Sequence, residues 1–332
     1  MKKELFVLVL ILLFLQGCAQ KVTISALKPA KIDEIANYKK IAIVDFKNDT
    51  VGFSSKLETN LVKVKVRNKP FFTVISRRNI DNIMEEQRLQ LSGLVKRSDI
   101  VEVGKLLGAN AIISGSVSDA SASAMSYTEK RSKCYDKKCK KFYEYNVGCT
   151  RQTISLAVEI KIISVENANI IYADTLKDKI QKRYCSDRGS SLLGKGEGLN
   201  LLADRLAKSF TSKISPYYAS YKVELFDDPD IDYTDEQEKL LEDALKYIEN
   251  RRYAKAEELL SRLLDSTDNR CYVAAYDLAI LKESNAELEK AQKLYMLADS
   301  LIKEPNSSLD RAINRIDNSI YSKKQALKQL NK

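Results

Sequence analysis

Histidine and tryptophan are both absent from this chain of 332 residues. Without histidine, a Ser-His-Asp or Cys-His catalytic site cannot form, and metal sites that need an imidazole ligand are excluded. The sequence also lacks a paired-carboxylate motif, and the glycine-rich run at 194–198 does not match a phosphate-binding loop, so it is most simply a flexible turn. These absences predict a protein that is not an enzyme and that binds neither a metal ion nor a cofactor.

The composition is typical of a folded, soluble protein. Glycine and proline number only 11 and 5, while apolar residues make up 44% and charged residues 30% of the chain. The length suits about two domains. The formal net charge is +10. The simplest interpretation is that this positive surface keeps the protein soluble. In a cell envelope such a surface would meet anionic lipid headgroups or peptidoglycan, so we expect no nucleic-acid partner.

The N-terminus has the pattern of a secretory signal peptide. Two lysines precede an apolar run from Leu5 to Leu15, which is too short to span a bilayer as a mature helix. The run ends in Leu-Gln-Gly before Cys18, which resembles the lipobox of bacterial lipoproteins, where the cysteine is lipidated and becomes the first residue. The alternative is an ordinary signal peptide with a chance cysteine. We expect residues 1–17 to be a lipoprotein signal peptide and 18–38 a lipidated tether.

Four cysteines after the signal peptide lie close together in the sequence: Cys134, Cys139, Cys149 and Cys185. Exported proteins keep disulfides, so two bridges among these four are favoured over a zinc site. Three pairings are possible, and the sequence does not choose between them. The remaining Cys271 lies in a helical stretch, where a buried free thiol is the simplest interpretation.

The first half of the mature chain predicts an α/β layer in which helices pack on a sheet. Compact apolar runs indicate strands, and apolar residues at helical spacing indicate the helices between them. A Ser55–Glu58 pair resembles a capping box at the start of the first helix. In order, the predicted elements are a strand at 40–46, a helix from Ser55, a strand at 71–75, a helix at 76–91, a helix at 99–107 and a strand at 111–117.

From Val117 onward the apolar period becomes two. Alternation at 120–124 and again at 153–162 predicts a long antiparallel hairpin with one face buried. A further strand is expected at 170–175, followed by a closing helix at 199–214. These elements complete an α/β domain over residues 39–215.

The C-terminal part predicts a separate all-α region. The aspartate-rich stretch at 216–234 is interpreted as a linker. Over 235–332 the pattern is helical, and Ala256 and Ala291 lie 35 residues apart, close to the repeat length of tetratricopeptide helix pairs. Two repeats are few, and an ordinary helical bundle is the alternative. The last 25 residues are expected to form a capping helix.

The segments 72–93 and 103–117 resemble the CsgG-like family, the lipoproteins related to the curli secretion channel. The run at 41–46 looks like the first strand of that family. The resemblance covers about residues 38–213 and implies a periplasmic α/β domain that assembles into rings.

In the curli channel, each subunit also contributes two hairpins to the membrane pore. Here the two corresponding segments, 130–141 and 177–198, are rich in lysine and arginine. A lysine that faces lipid at mid-bilayer costs about 2–4 kcal/mol. We therefore expect that this chain does not line a wide pore by itself.

The sequence thus predicts an outer-membrane-anchored periplasmic lipoprotein. Ala19, which follows Cys18, resembles the outer-membrane address of such lipoproteins. We expect a ring-forming component of a secretion or surface-structure assembly system, similar to curli transport. The alternative is a periplasmic scaffold or regulatory lipoprotein that binds an envelope partner, such as a peptidoglycan synthase, without a pore. The expected partners are other copies of the chain, outer-membrane lipid through Cys18, and an envelope protein bound by the helical region.

Overall fold

The computed structural model describes residues 20–75, 104–189 and 191–332. The signal peptide with Cys18, the predicted helix at 76–91 and most of the one at 99–107 lie outside the described residues. The described chain divides into two compact units. The sheet unit holds residues 30–217 and 329–332, and the helical unit holds 20–29 and 218–328.

The elements of the described chain are, in order, β1 (Lys21–Lys28), a 3-10 helix (Asp33–Asn37), β2 (Lys40–Ile43), α1 (Phe53–Val62), β3 (Lys65–Val66), β4 (Lys69–Pro70), β5 (Thr73–Ile75), β6 (Ala111–Cys134), β7 (Phe142–Ser164), β8 (Ile170–Cys185), α2 (Lys195–Ile214), β9 (Tyr217–Glu224), α3 (Asp235–Glu249), α4 (Tyr253–Ser266), α5 (Tyr272–Ser284), α6 (Leu288–Leu301) and α7 (Ser307–Leu330). Strands and helices are mixed along the chain as far as β9, and the elements after β9 are all helices. In these described segments, every helix is too short or too polar to cross a membrane.

The sheet unit is built on a five-stranded mixed sheet in the order β5-β2-β6-β7-β8. β2 runs parallel to both β5 and β6, whereas β6, β7 and β8 are antiparallel neighbours. Residues of the central strands, such as Ile41, Ile43 and Ile112, are fully or almost fully buried. This confirms the predicted α/β fold, in which a continuous apolar run marks a strand covered on both faces.

Helix α1 begins in a different way from the one predicted. The carboxylate of Asp49 accepts hydrogen bonds from the backbone N–H groups of Phe53 and Ser54, at 2.8 and 2.9 Å. The proposed Ser55–Glu58 capping box is therefore wrong, because an aspartate four residues before the helix already satisfies the free N–H groups of its first turn. Helix α1 then packs against α2.

The predicted long hairpin is confirmed, but its burial is uneven. On β7 the alternating residues Ile154, Leu156 and Val158 are buried, as expected. On β6, in contrast, Ala122 and Ala124 are exposed, so the single buried face that we predicted does not extend across both strands. Helix α2 packs on β7 and β8 more than on β6, which leaves much of β6 uncovered.

Two segments around the cysteines differ from the sequence prediction. The stretch from Lys177 to Cys185 is the second half of β8, since it continues the pairing with β7 in register. The glycine-rich run 194–198 is the start of helix α2 and not a flexible turn. Gly198 is required there because a Cβ atom would overlap the side chain of Ile154.

The helical unit contains two strands that fall in the predicted tether and linker. β1 lies in the predicted tether 18–38, β9 lies in the predicted linker 216–234, and the two pair with each other. In β1, buried Val22 and Ile24 alternate with exposed residues. Pairing with β9 lets this amphipathic segment bury one face, so it is a strand of the helical unit instead of a free tether.

The rest of this unit confirms the predicted helical region, with five helices over residues 235–330. The turn between α3 and α4 and the turn between α5 and α6 have the same geometry. Their second residues, Arg251 and Ala286, have φ angles of 58° and 61°. Each donates its N–H to the carbonyl three residues earlier. Because Ala256 and Ala291 are both fully buried, the two helix pairs repeat with the predicted spacing of 35 residues.

A buried ionic cluster joins three helices of this unit. The carboxylate of Glu283 on α5 has a fully buried side chain and accepts a hydrogen bond from the hydroxyl of Tyr295 on α6 at 2.8 Å. The guanidinium of Arg315 on α7 pairs with the same carboxylate at 2.9 Å. A buried charge needs such partners, so this cluster fixes how α7 packs against the helix pair.

Candidate functional site

The three antiparallel strands of the sheet unit extend into a long projection, which we call the arm. It consists of residues 119–134 of β6, 142–157 of β7 and 177–185 of β8, with β7 in the middle and paired to both of the others. At about 3.3 Å per residue, the 24-residue strand β6 is about 80 Å long if fully extended.

Two disulfides lie in the arm. Cys149 on β7 is bonded to Cys185 at the end of β8, and these two residues are also direct neighbours in the strand register. Cys134 is bonded to Cys139 across the turn that joins β6 to β7. The structure thus selects one of the three pairings that the sequence left open. Each bond closes the arm at a point where a strand ends.

Ion pairs support the arm beside the Cys149–Cys185 bond. Glu129 on β6 pairs with Arg183 on β8 at 2.8 Å and with Arg131 at 3.2 Å. Arg131 also pairs with Asp187 at 3.2 Å, and its side chain is only 14% exposed. Because the pairs join β6 to β8 and to the residues after it, they restrain the end of β8 together with the disulfide.

Glu129, Cys149 and Cys185 place an oxygen and two sulfur atoms within 4.8 Å of one another. Zinc sites use cysteine as the thiolate. Here the two sulfurs are bonded to each other, so the group offers one carboxylate and no thiolate. The bridge therefore accounts for these cysteines without a metal ion.

The tip of the arm combines aromatic and basic side chains. Tyr135 and Phe142 are 78% and 69% exposed, and the rings of Tyr135 and Tyr143 lie edge to face at 6.1 Å. Residues 130–145 contain seven basic and two acidic residues, a net charge of +5. An exposed aromatic and cationic tip is suited to contact with an anionic surface.

Two edges of the arm are open in the described part of the chain. β2 pairs with β6 only over residues 111–113, with one further bridge at Ser116. From Asp119 to Cys134 the edge of β6 that faces away from β7 therefore has no described strand beside it. β8 is the last strand of the sheet, so its outer edge is open as well. Open edges offer unpaired N–H and C=O groups for pairing with another chain.

The last predicted cysteine lies in the other unit and is not part of this site. Cys271 is free and buried at the start of α5, where its sulfur accepts a hydrogen bond from the N–H of Ala274 at 3.2 Å. The hydroxyl of Tyr233 lies 2.7 Å from the same sulfur. Burial raises the pKa of the Cys271 thiol to about 12, so it is an unreactive packing residue.

Sequence reasoning missed the residue that orders the aspartate-rich segment. One carboxylate oxygen of Asp230 accepts hydrogen bonds from Tyr233 and Cys271, and the other accepts one from the N–H of Tyr272. Asp230 therefore caps helix α5 across 42 residues of sequence. A cap from so far away leaves no local pattern, whereas Pro229 and the neighbouring aspartates indicated only a turn.

Comparison with known proteins places the sheet unit in a family. Residues 19–201 match the family model described as curli production assembly/transport component CsgG. A comparison with curated protein sequences finds no match.

Three solved structures illustrate what the chain is similar to. The LpoB C-terminal domain from Salmonella enterica is 12% identical, with a TM-score of 0.27, and the alignment covers 46% of this chain and 96% of that domain. The PelC dodecamer from Paraburkholderia phytofirmans is 13% identical, with a TM-score of 0.28 and coverage of 59% and 97%. Lipoprotein GNA1162 from Neisseria meningitidis is 12% identical, with a TM-score of 0.27 and coverage of 52% and 96%. The family assignment rests on the sequence match and not on these scores.

Proposed function

The chain belongs to the CsgG family, whose model matches more than half of its residues, and from this membership we propose that it is a ring-forming lipoprotein of the outer membrane. In this proposal the lipid on Cys18 holds the chain at the periplasmic face. Its ring serves a secretion or surface-structure assembly system. In this proposal the role is structural and not enzymatic.

The observation that supports ring formation is the pair of open edges on the arm. One edge belongs to β6 and the other to β8, so the two surfaces are different. A contact between different surfaces of identical subunits repeats from copy to copy, and it closes into a ring when the rotation permits. Because β6 and β8 both run antiparallel to β7, their directions agree, and the contact between rotation-related copies would be a parallel strand pair.

The composition of the β6 edge fits such a contact. From Ala120 to Ser126 the strand consists of alanine, serine and one methionine, and most of these side chains are exposed. Proteins usually protect an exposed strand edge with charged residues, especially lysine. The β8 edge carries Lys177 and Lys179, but the first part of the β6 edge has no such protection. This uncharged part of β6 is therefore where we place the contact with the next copy.

A single substitution with a matched control tests the proposal. Ala122→Lys puts a charge on the exposed β6 edge, and Ala254→Lys puts the same charge on an exposed position of α4. The lipidated full-length chain in mild detergent is measured by size-exclusion chromatography with light scattering. We expect species larger than a dimer for the unmodified chain and for Ala254→Lys, and a shift toward monomer for Ala122→Lys.

A strictly monomeric chain at high concentration would overturn ring formation and leave the second candidate function. In that case the protein is a periplasmic scaffold or regulator that binds an envelope partner such as a peptidoglycan synthase. The repeated helix pairs favour this candidate, since repeats of this kind present extended surfaces to partners. Electron microscopy of the lipidated protein separates the two, because only the first candidate gives rings.

A further inference from the structure

A groove in the helical unit has features of a peptide site. Its volume is about 730 Å³, within the range of about 300–1,000 Å³ typical of ligand sites. One wall is strand β9, the other is helix α7, and Tyr276 of α5 contributes to the lining. On α7 the lining residues are Ser308, Arg311, Asn314, Arg315, Asn318 and Ser322, a polar stripe along one face of the helix.

The groove runs along the edge of β9 and not along one of its faces. Four consecutive residues, 221–224, line it, whereas the residues of a single face would alternate. Leu225 donates its N–H to the carbonyl of Gln20, beside β1. Successive residues of a strand direct their backbone groups to opposite edges, so Lys222 and Glu224 direct theirs away from β1. Consistent with this, the carbonyl of Glu224 lies 3.5 Å from the hydroxyl of Tyr276.

The side chains around this edge carry an excess of positive charge. Lys28, Lys222 and Arg311 line the groove, and none of them forms an ion pair with a residue that the structure describes. The two other charged groups in the lining are compensated. Glu224 pairs with Lys21 at 2.8 Å, and Arg315 pairs with Glu283. Three cations without an ion-pair partner among the described residues therefore line the groove.

We propose that this groove binds an extended acidic segment of another protein as an additional strand beside β9. The open edge of β9 supplies backbone donors and acceptors, as in other complexes formed by strand addition. Lys28, Lys222 and Arg311 recognise the carboxylates of the segment. Only a peptide matches both features, because a phosphate or a lipid headgroup would satisfy the cations and leave the strand edge unpaired. The proposal holds whether or not the chain forms rings.

Binding of a labelled peptide to the full chain tests this inference. The probe is a fluorescein-labelled heptapeptide with alternating glutamate and valine, measured by fluorescence anisotropy at about 0.15 M salt. A peptide with lysine in place of glutamate tests the charge requirement. A third peptide has the acidic sequence but carries N-methyl groups that remove backbone donors on one edge. We expect at least tenfold weaker binding of both control peptides.

Two double variants locate the site on the protein. Lys222→Glu with Arg311→Glu reverses two charges in the groove, and Lys293→Glu with Lys324→Glu makes the same change at exposed helix positions outside it. We expect the groove variant to weaken binding at least tenfold more than the control variant. Circular dichroism of both variants checks that the fold is retained.

Three results would overturn the inference. The first is equal affinity for the glutamate and lysine peptides. The second is equal loss of binding in the two double variants. The third is undiminished binding of the N-methylated peptide together with groove-dependent binding of polyphosphate or anionic vesicles, which would identify a general anion site. None of these results bears on ring formation, which is measured separately.

Discussion

At the scale of single residues, the charge of Asp277 in α5 bears directly on stability. Its side chain is fully buried, and one of its oxygens accepts a hydrogen bond from the N–H of Phe226 at 3.0 Å. The other oxygen has no hydrogen-bond partner among the described residues. Burial raises the pKa of this carboxyl well above its usual value, because an ion in this place would lose its hydration. The folded chain therefore favours the neutral form of Asp277 more than the unfolded chain does.

This shift predicts how stability depends on pH. A carboxyl whose folded pKa is raised contributes stability that is complete below its unfolded pKa of about 4 and is lost as the pH rises toward the folded pKa. Asp277→Asn keeps the shape and cannot ionise. We expect it to be more stable than the unmodified chain at pH 8 by about 1.4 kcal/mol for each unit of the shift, and to lose this advantage at pH 4.

Denaturant unfolding of the helical unit at pH 4, 6 and 8 measures the difference. Asp299→Asn, a change of the same type at an exposed position of α6, should follow the unmodified chain at each pH. Parallel pH profiles for the unmodified chain and Asp277→Asn would contradict a raised pKa of Asp277 in the folded chain. The sequence signal for this residue is a lone aspartate within an apolar run from Tyr272 to Leu281, where every neighbour predicts burial.

At the scale of elements, the two disulfides of the arm contribute unequally. Cys149 and Cys185 are separated by 36 residues, and Cys134 and Cys139 by 5. In the chain-entropy description, closing a longer loop restricts the unfolded chain more, which gives about 4 kcal/mol for the first bond and about 2 kcal/mol for the second. Replacing the first pair of cysteines with serine should therefore lower the free energy of unfolding of the sheet unit more than replacing the second pair.

Guanidinium unfolding of the two double variants gives this ranking. Intact mass after thiol alkylation without reductant provides the control, since only Cys271 should react among residues 20–332 of the unfolded chain. The bridge assignment would be contradicted by four further alkylated thiols, and the energetic argument by the reverse ranking.

The same elements show how far the sequence predicts this fold. The strand at 111–117, the long hairpin and the helix ending at Ile214 were all predicted, because each has a continuous periodic pattern of apolar residues. The second half of β8 was missed, since Lys177 to Cys185 is mostly polar and becomes a strand only through pairing with β7. Gly198 was assigned to a turn because its fit against Ile154 depends on a contact between distant parts of the chain.

The functional surfaces were less predictable than the fold. The cysteines of the arm were identified from their spacing and the exported setting, but their pairing depends on strand register. The open edge of β6 has no pattern of its own in the sequence. It exists because β2 is much shorter than β6 and pairs only with the start of that strand. The groove beside β9 was missed entirely, because β9 was assigned to a linker although its less exposed residues alternate with exposed ones as in a strand with one buried face.

At the scale of the whole molecule, the proposed role depends on the anchor. Cys18 lies outside the described residues, so its lipidation is argued from the sequence. Two or three acyl chains on one residue hold a protein stably at a membrane surface, whereas a single chain binds reversibly. A chain fixed in this way stays with its neighbours at the membrane, which raises the local concentration of the arms and favours ring closure.

Substitutions at two adjacent positions test separately whether Cys18 is lipidated and whether Ala19 directs the protein to the outer membrane. Cys18→Ser removes the acylated thiol, so we expect a protein that is uncleaved or soluble in the periplasm, with an intact mass that lacks the lipid. Ala19→Asp keeps the cysteine but changes the residue that resembles an outer-membrane address, so we expect a lipidated protein that now fractionates with the inner membrane. Membrane fractionation and mass spectrometry of both variants check these outcomes. The anchor would be refuted if Cys18→Ser still reached the outer membrane with an unchanged mature mass, and the address if Ala19→Asp fractionated as the unmodified chain does.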